Sequence, residues 1–427
     1  MRRFRFSDPD FLRSFAAFVE ERRETPEDVD ASVRDILASV RAGGLDALLA
    51  YARDFDGVEL DETSLRVSAD EISRGAAECP AEVREAIAFA AARIRAYHER
   101  QRPADVHFVD EAGVSLGWRW TPLDSVGVYV PGGRAAYPST VLMNSVPAAV
   151  AGVSRIAMVT PPGRLQPAVL AAAQEAGVTE IWRVGGAQAV AALAYGAGPI
   201  LPVDKIVGPG NAYVTAAKRR VYGMVGIDAL AGPSEIVVVA DAANREDWIA
   251  ADLLSQAEHD PGAQAILITD DEAFAERVVS AVEAQIRALA TGDTAATSWR
   301  NHGAVVLAPL AEAPRLVDMI APEHVEFALD APERLADRVR HAGAIFLGRY
   351  TPEAIGDYVA GSNHVLPTSR AARFSSGLSI YDFIKRTSIV KCDEASFARL
   401  GPHTAALADA EGLPAHARSA SIRLGRG

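Results

Sequence analysis

A short apolar run ends in a Pro-Gly-Gly turn at Val126-Gly127-Val128-Tyr129-Val130-Pro131-Gly132-Gly133. Two further apolar runs end in a glycine turn, at Glu180–Gly186 and at Lys205–Gly210. Helix-like stretches follow each of the three turns. Short strands that alternate with helices indicate βαβ units, and such units build a parallel sheet. We therefore predict that this part of the chain forms a parallel α/β domain.

A second series of short apolar runs lies further along the chain, again separated by helical patterns. Its predicted strands are Ile236–Ala240, Ala265–Thr269, Ala304–Leu307 and Ala344–Leu347. Residues 1–110 carry helical periodicity, and the alternation stops after about residue 378. The predicted fold class is α/β: two incomplete Rossmann-like domains with parallel sheets, a helical N-terminal region and a short C-terminal tail domain.

Composition narrows the possible functions. The 427 residues carry a formal net charge of −13, which argues against sequence-independent nucleic-acid binding and against docking on anionic membranes. The two cysteines, Cys79 and Cys392, cannot build a disulfide framework or a thiolate zinc cluster. No signal peptide or membrane-spanning stretch is apparent. We expect a cytoplasmic protein.

The glycine turns are candidate ligand sites. A turn that leads from a strand into a helix presents free main-chain N–H groups and the positive helix end to an anion. None of the three turns is a G-x-G-x-x-G, and the strand that ends at Thr160-Pro161-Pro162 is followed by no acidic residue for a ribose. The standard dinucleotide fingerprint is therefore missing. Three such turns at one sheet edge still favour a phosphate-bearing ligand over simple tight turns.

A glutamine and a histidine suggest the start of a metal site. Gln256 and His259 lie at the end of a predicted helix, and their i, i+3 spacing would put both side chains on one face. An amide oxygen and an imidazole can both bind zinc, although a site needs three or four ligands. A polar helix end remains the alternative.

Further polar residues could complete such a site. Glu323-His324 follows Ala321-Pro322, so a helix start or turn is expected there, and this pair could serve as general base and acid. The other candidates are Asp357 in a short helix, His364 in a Gly-Ser-Asn-His segment, and the tail residues Glu411 and His416. Surface positions are expected for His98, His107, His302, His341 and His403.

Taken together, these residues make the chain resemble the histidinol dehydrogenase family over nearly its whole length. The matching blocks stand in order along the sequence. They are Gly127–Gly133, Val184–Ala189, Gly208–Val214, Ala231–Glu235, Leu254–His259, Ala321–His324, Gly361–Thr368 and Glu411–His416.

The resemblance implies an NAD-dependent homodimer with shared active sites and one zinc ion per subunit. The reaction it implies is the oxidation of L-histidinol to L-histidinaldehyde and then to L-histidine, the last two steps of histidine biosynthesis. His324 would be the general base, and Glu323 would activate water for hydration of the aldehyde. Zinc would position the substrate.

The same resemblance assigns the remaining contacts residue by residue. The metal ligands it implies are Gln256, His259, Asp357 and, from the partner subunit, His416. NAD contacts fall on Tyr129, Gln188 and Asn211. Substrate contacts fall on Ser234, His324, His364, Glu411 and the metal ligands. Arg370 stands where the family usually has glycine, and it could either touch the site or face solvent.

We expect four regions along the chain. Residues 1–24 form an N-terminal arm, and residues 25–128 with 235–378 form the domain with the metal and catalytic residues. Residues 129–234 form the NAD-binding domain, and residues 379–427 form a tail that reaches the partner subunit.

Three alternatives stay open. One is a related NAD-dependent dehydrogenase of another polar alcohol, such as a sulfonated diol. Another is a zinc hydrolase in which Glu323 activates a metal-bound water, although no HExxH motif is present. The last is a catalytically inactive α/β binding protein, against which the intact Glu323-His324 pair argues.

Overall fold

A computed structural model describes residues 1–21, 27–132, 137–230 and 232–425 of the chain. The expected boundary between residues 24 and 25, Gly133 and Ala231 lie outside the described residues. The chain divides into two compact units, residues 1–100 with 124–383 and residues 101–123 with 384–427. Along the described ranges, no helix is both long and apolar enough to cross a membrane.

The strands follow one another in this order. They are β1 (Arg2–Arg5), β2 (Val106–Val109), β3 (Ser115–Pro122), β4 (Ser125–Tyr129), β5 (Arg155–Thr160), β6 (Glu180–Arg183), β7 (Lys205–Val207), β8 (Gly226–Ile227), β9 (Glu235–Ala240), β10 (Gln264–Thr269), β11 (Ala304–Leu307), β12 (His324–Ala328), β13 (Ala344–Leu347) and β14 (Ile384–Lys391).

The helices lie between them. They are α1 (Phe11–Glu20), α2 (Glu27–Asp56), α3 (Ala69–Glu78), α4 (Ala81–Glu99), α5 (Pro138–Ala151), α6 (Pro167–Ala176), α7 (Gly186–Tyr195), α8 (Ala212–Val221), α9 (Glu246–Ala257), α10 (Glu272–Ile286), α11 (Gly292–His302), α12 (Ala313–Ile320), α13 (Glu333–Ala336), α14 (Glu353–Tyr358), α15 (Glu394–Ala410) and α16 (Pro414–Ser421).

The first unit contains a five-stranded parallel sheet in the order β6-β5-β4-β7-β8. All five residues of β4 are buried. A strand that helices cover on both faces needs apolar residues at successive positions, which is why this run shows no polar alternation. The sheet confirms the α/β fold predicted from the glycine turns.

The same unit contains a six-stranded parallel sheet in the order β1-β11-β10-β9-β12-β13. Alternate residues of β9 enter two different hydrophobic cores. Ile236, Val238 and Ala240 pack into one core, and Val237 and Val239 pack into the other. Successive side chains of a strand point to opposite faces, so both faces of this sheet are covered.

The N-terminal region is less uniformly helical than its pattern predicts. Two breaks interrupt its helices: Gly44 has φ +55° inside α2, and Cys79-Pro80 separates α3 from α4. Residues Arg2–Arg5, however, form the edge strand β1 beside β11. Three of these four residues are arginines, so no local β signal exists. Pairing with β11 and ion pairs to α10 stabilise the strand instead.

The second unit contains an antiparallel sheet in the order β14-β3-β2, together with α15 and α16. No strand was predicted after about residue 378, so β14 was missed. Seven of its eight residues are exposed, and they lack the apolar alternation that marks a half-buried strand. The strand depends on pairing with β3, which lies far away in sequence.

Candidate active site

The Glu323-His324 pair begins a buried strand rather than a helix or turn. His324 is the first residue of β12, which lies between β9 and β13, and its side chain is only 3% exposed. Its Nδ1 lies 3.1 Å from the main-chain oxygen of Glu235. Since a carbonyl oxygen only accepts hydrogen bonds, Nδ1 carries a proton, and Nε2 becomes the acceptor when the ring is neutral.

Glu323 is held beside this ring by the neighbouring strand. The main-chain N–H of Glu235 donates to Glu323 Oε2 at 3.0 Å, and that oxygen lies 3.7 Å from His324 Nδ1. Burial raises the pKa of Glu323 to about 7, although the nearby His324 opposes the shift. A carboxyl group with a pKa near neutrality can both accept and release a proton.

The other ring nitrogen faces two carboxylates on the short helix α14. His324 Nε2 lies 3.6 Å from Asp357 Oδ1 and 3.7 Å from Glu353 Oε1. Residues four apart share one helix face, so α14 directs both carboxylates toward the ring. One ligand atom from each of the three residues lies within 4.8 Å of the others, so the group could hold a metal ion.

These carboxylates control the charge of His324. Burial lowers the pKa of the ring, but Glu323, Asp357 and Glu353 outweigh it and raise the pKa to about 10. Burial also raises the pKa of Glu353, although the charge of His324 and the hydrogen bond from Ser255 oppose that shift. The negative charges that raise the pKa of the imidazole are those that a bound cation compensates.

Gln256 joins this group from α9, and His259 lies just beyond the end of that helix. Gln256 is fully buried, and its Nε2 donates to Glu353 Oε1 at 2.7 Å. Its Oε1 has no hydrogen-bond partner among the residues that the structure describes. Helix α9 ends at Ala257, and His259 lies in the turn that follows it, where its side chain is exposed.

His364 belongs to the same cluster. Its Nδ1 lies 3.0 Å from the main-chain oxygen of Asp357. Its burial lowers its pKa, and the nearby charges of His324 and His259 act in the same direction, while Asp357 opposes them. The hydrogen bond to the Asp357 main chain therefore fixes the His364 ring beside α14.

The donor types in this cluster fit zinc. An amide oxygen, carboxylates and imidazoles are present without a thiolate, and zinc accepts nitrogen and oxygen ligands of these kinds. The buried and unpartnered Oε1 of Gln256 supports the fit, because a buried polar atom without a partner costs free energy. The sequence reasoning missed Glu353, whose i, i+4 spacing from Asp357 was the available signal.

The cluster lies at the amino ends of the strands. His324 begins β12, and Ser234 directly precedes β9, where its main-chain oxygen accepts from the N–H of Gln264 at 2.9 Å. Helix α9 runs back along the sheet and brings Gln256 to the same edge. The glycine turns, by contrast, lie at the carboxyl ends of the five-stranded sheet.

The predicted cofactor residues surround these turns. The Tyr129 hydroxyl accepts from the N–H of Gly186 at 3.0 Å, and burial raises the pKa of Tyr129 to about 12. Gln188 is buried in α7. Asn211 caps α8, where its Oδ1 accepts from the N–H groups of Tyr213 and Val214 at 3.1 and 3.2 Å. The three residues therefore lie in segments that follow strands at the carboxyl edge of one sheet.

Comparison with known proteins identifies the family. Residues 19–424 match the family "Histidinol dehydrogenase". The chain belongs to the histidinol dehydrogenase family. It is 79% identical over 427 residues to the histidinol dehydrogenase of Caulobacter vibrioides, with 100% of both chains covered. It is 59% identical over 429 residues to that of Rhodospirillum rubrum, covering 100% of this chain and 99% of the relative.

A solved structure confirms the fold. The histidinol dehydrogenase of Elizabethkingia anophelis superposes with a TM-score of 0.94 at 35% identity, covering 100% of this chain and 98% of that one. The family resemblance inferred from the sequence blocks is therefore confirmed, and the protein is an oxidoreductase of this family.

Two of the residues that the histidinol dehydrogenase resemblance assigns to the site lie in the second unit. Glu411 directly follows α15, and His416 lies in the first turn of α16. Both side chains are exposed.

The structure also shows the surroundings of two further residues, Arg370 and His98. Arg370 has φ +63°, a backbone conformation that favours glycine, and its Nη2 donates to the main-chain oxygen of Met319 at 3.2 Å. His98 was expected at the surface but is fully buried. The polar residues around it in sequence gave no sign that this face of α4 packs inward.

Proposed function

We propose that this chain oxidises L-histidinol to L-histidine through L-histidinaldehyde, using two NAD molecules. The observation that carries the proposal is the buried Glu323-His324 pair, whose ring faces Asp357 beside the amide of Gln256. A general base, a carboxyl group with a pKa near 7 and an unpartnered ligand oxygen lie together there. Membership of the histidinol dehydrogenase family supports the choice of substrate.

Gln256, His259 and Asp357 would hold the zinc ion, with His416 of a second copy as the fourth ligand. The donor types and the buried Oε1 of Gln256 support this set. When bound, zinc anchors the polar groups of the substrate and NAD accepts the hydride. The exposed position of His416 is consistent with donation to a partner in a homodimer.

His324 is the proposed general base of both oxidations. An alcohol must lose its hydroxyl proton as the hydride leaves, and a base within hydrogen-bond reach accelerates that step. The Glu235 carbonyl holds the proton on Nδ1, so Nε2 receives the substrate proton. The strand β12 carries the ring on a rigid, buried backbone.

Glu323 is the proposed activator of water in the second oxidation. The aldehyde must gain a water oxygen before it can lose a second hydride as a gem-diol. The hydrogen bond from the Glu235 N–H holds the carboxyl group in place, and its pKa of about 7 suits removal of a proton from water. Neither Cys79 nor Cys392 lies near these residues in sequence, and this route requires no thioester.

NAD is proposed to bind at the carboxyl edge of the five-stranded sheet. Tyr129, Gln188 and Asn211 surround its glycine turns, where helix N-termini favour phosphate groups. Ser234, His364 and Glu411 are the remaining proposed substrate contacts. The division into an arm, two Rossmann-like domains and a partner-reaching tail stays a proposal.

The test is the amount of NADH formed per L-histidinol consumed, with and without a chelator. Two NADH per substrate, lost on chelation and restored by zinc, is the expected result. One NADH would show that oxidation stops at the aldehyde and would contradict the role of Glu323. No NADH from a folded, zinc-loaded protein would point to another polar alcohol as substrate.

A further inference from the structure

Glu353 is a buried carboxylate whose two oxygens are both engaged by neighbouring residues of α9. Its Oε1 accepts from Gln256 Nε2 at 2.7 Å, and its Oε2 accepts from Ser255 Oγ at 2.9 Å. The side chain is only 2% exposed. Neither the sequence motifs nor the family resemblance assigned this residue a role.

These contacts decide which end of the Gln256 amide faces the cluster. The two ends of a primary amide are similar in size but opposite in hydrogen bonding, because the nitrogen donates and the oxygen accepts. With Nε2 directed at Glu353, Oε1 points away from that carboxylate and remains without a partner among the described residues. Rotating the amide by half a turn would set two acceptor oxygens against each other.

We propose that Glu353 is a positioning residue that holds the oxygen of Gln256 toward the zinc ion. The inference rests on the proposed function, since it takes Gln256 as a metal ligand. Residues behind a ligand commonly fix its orientation in this way. Ser255 supports Glu353 by occupying its second oxygen, so the carboxylate itself cannot rotate freely.

Direct metal binding by Glu353 is the competing explanation. Its Oε1 lies 3.7 Å from His324 Nε2, and the residue could form a metal group with His324 and Asp357. A cation on Oε1 would, however, lie beside the amide hydrogens of Gln256, which carry partial positive charge. The hydrogen bond to Gln256 therefore favours positioning over ligation.

The test is a double-mutant cycle on zinc affinity, measured by competition with a chromogenic chelator. Glu353→Ala and Gln256→Ala should each weaken zinc binding by roughly 10–100-fold. The double variant should bind zinc no more weakly than the worse single variant, because Glu353 acts only through Gln256. Glu353→Gln keeps an acceptor oxygen and should remain within a few-fold of the parent, on the order of a single weak hydrogen bond.

Two further variants separate orientation from packing. Glu353→Met keeps most of the side-chain volume but accepts no strong hydrogen bond, so it should lose zinc affinity as Glu353→Ala does. Glu180→Gln removes a carboxylate that is only 13% exposed in the five-stranded sheet, and it should leave zinc affinity unchanged. Circular dichroism in the presence of chelator verifies that each variant is folded.

The possible results are distinct. Losses that multiply in the double variant would identify Glu353 as an independent ligand and overturn the inference alone. Unchanged zinc affinity in folded Glu353→Met would overturn it as well. Unchanged affinity in Gln256→Ala would overturn the proposed metal set, and the inference with it.

Discussion

At the scale of single residues, different hydrogen bonds orient the adjacent side chains of Glu323 and His324. Glu323 and His324 are adjacent in sequence, yet the N–H of Glu235 binds the carboxyl group and the carbonyl of the same residue binds the ring. One residue of a neighbouring strand thus orients both side chains. The acid and the base can then serve different steps from one dipeptide.

Glu323→Gln should separate the two oxidations. The amide cannot remove a proton from water, so aldehyde oxidation should fall by roughly 10²-fold or more, while oxidation of histidinol to the aldehyde persists. The measurement is NADH formed from L-histidinol and, separately, from L-histidinaldehyde. His324→Gln is the control and should lose both steps. Undiminished aldehyde oxidation in Glu323→Gln would contradict the role of water activation.

The backbone of Arg370 allows a prediction about stability. A residue other than glycine in the left-handed region costs roughly 1–2 kcal/mol, and the guanidinium bond to Met319 offsets part of that cost. Arg370→Ala keeps the strain and loses the bond, whereas Arg370→Gly loses both. The glycine variant should therefore be the more stable of the two by about 1 kcal/mol in denaturant unfolding. The reverse order would contradict this explanation.

A buried acid pair, Asp252 and Glu326, should make stability depend on pH. Burial raises the pKa of Asp252 to about 6 and that of Glu326 to about 10, and each carboxyl group also acts on the other. The folded state therefore holds protons that the unfolded state releases above about pH 4. Stability should fall as pH rises from about 4 toward 10.

Glu326→Gln tests this pair, because an amide does not titrate and can still donate to Asp252. The variant should lose less stability than the parent between pH 6 and pH 9, roughly the range in which the parent must keep its proton. The measurement is the free energy of unfolding in urea across that range. Parallel pH profiles for parent and variant would show that Glu326 is ionised in the folded state.

At the scale of elements, the buried ion pair between Lys218 and Asp228 stabilises the loop between β7 and α8. Gly208 has φ +107°, and a Cβ there would lie 2.2 Å from the Tyr129 carbonyl oxygen. The Lys218 ammonium donates to the main-chain oxygen of Gly208 at 2.9 Å. The main-chain N–H of Gly208 donates to Asp228 Oδ2 at 2.8 Å. Lys218 also pairs with Asp228 where both side chains are less than 5% exposed.

Lys218→Met should destabilise this loop. It leaves the Asp228 carboxylate buried without a counter-charge, which typically costs about 3–5 kcal/mol. Unfolding in denaturant should show that loss, and the KM for NAD should rise in parallel. Adding Asp228→Asn removes the unpaired charge and should restore part of the stability. A double variant no more stable than Lys218→Met would contradict the ion-pair explanation.

At the scale of the whole molecule, the proposed shared site requires two copies of the chain. Mixed dimers of His324→Ala and His416→Ala subunits would contain one complete site, built from the intact His324 of one subunit and the intact His416 of the other. Co-expression with random pairing should restore about a quarter of the parent activity, since half the dimers are mixed. Each variant alone should be inactive, and absence of any recovery would contradict a shared site.

Much of this protein could be predicted from its sequence. The parallel strands were visible because helices cover both faces of each sheet, so β4 and β9 are continuous apolar runs. Strands β11 and β13 have the predicted bounds, Ala304–Leu307 and Ala344–Leu347. Ordered blocks such as Gly208–Val214 and Glu411–His416 were sufficient to indicate the family, which the comparisons confirm.

The tertiary structure decided what local patterns do not encode. Strands β1 and β14 exist through pairing with distant strands, and their own residues are charged or exposed. The position of His324 at the start of a buried strand depends on its neighbours β9 and β13. The contact between Glu353 and Gln256 arises only when α14 packs against α9. Such contacts join residues far apart in sequence, so only the folded chain brings them together.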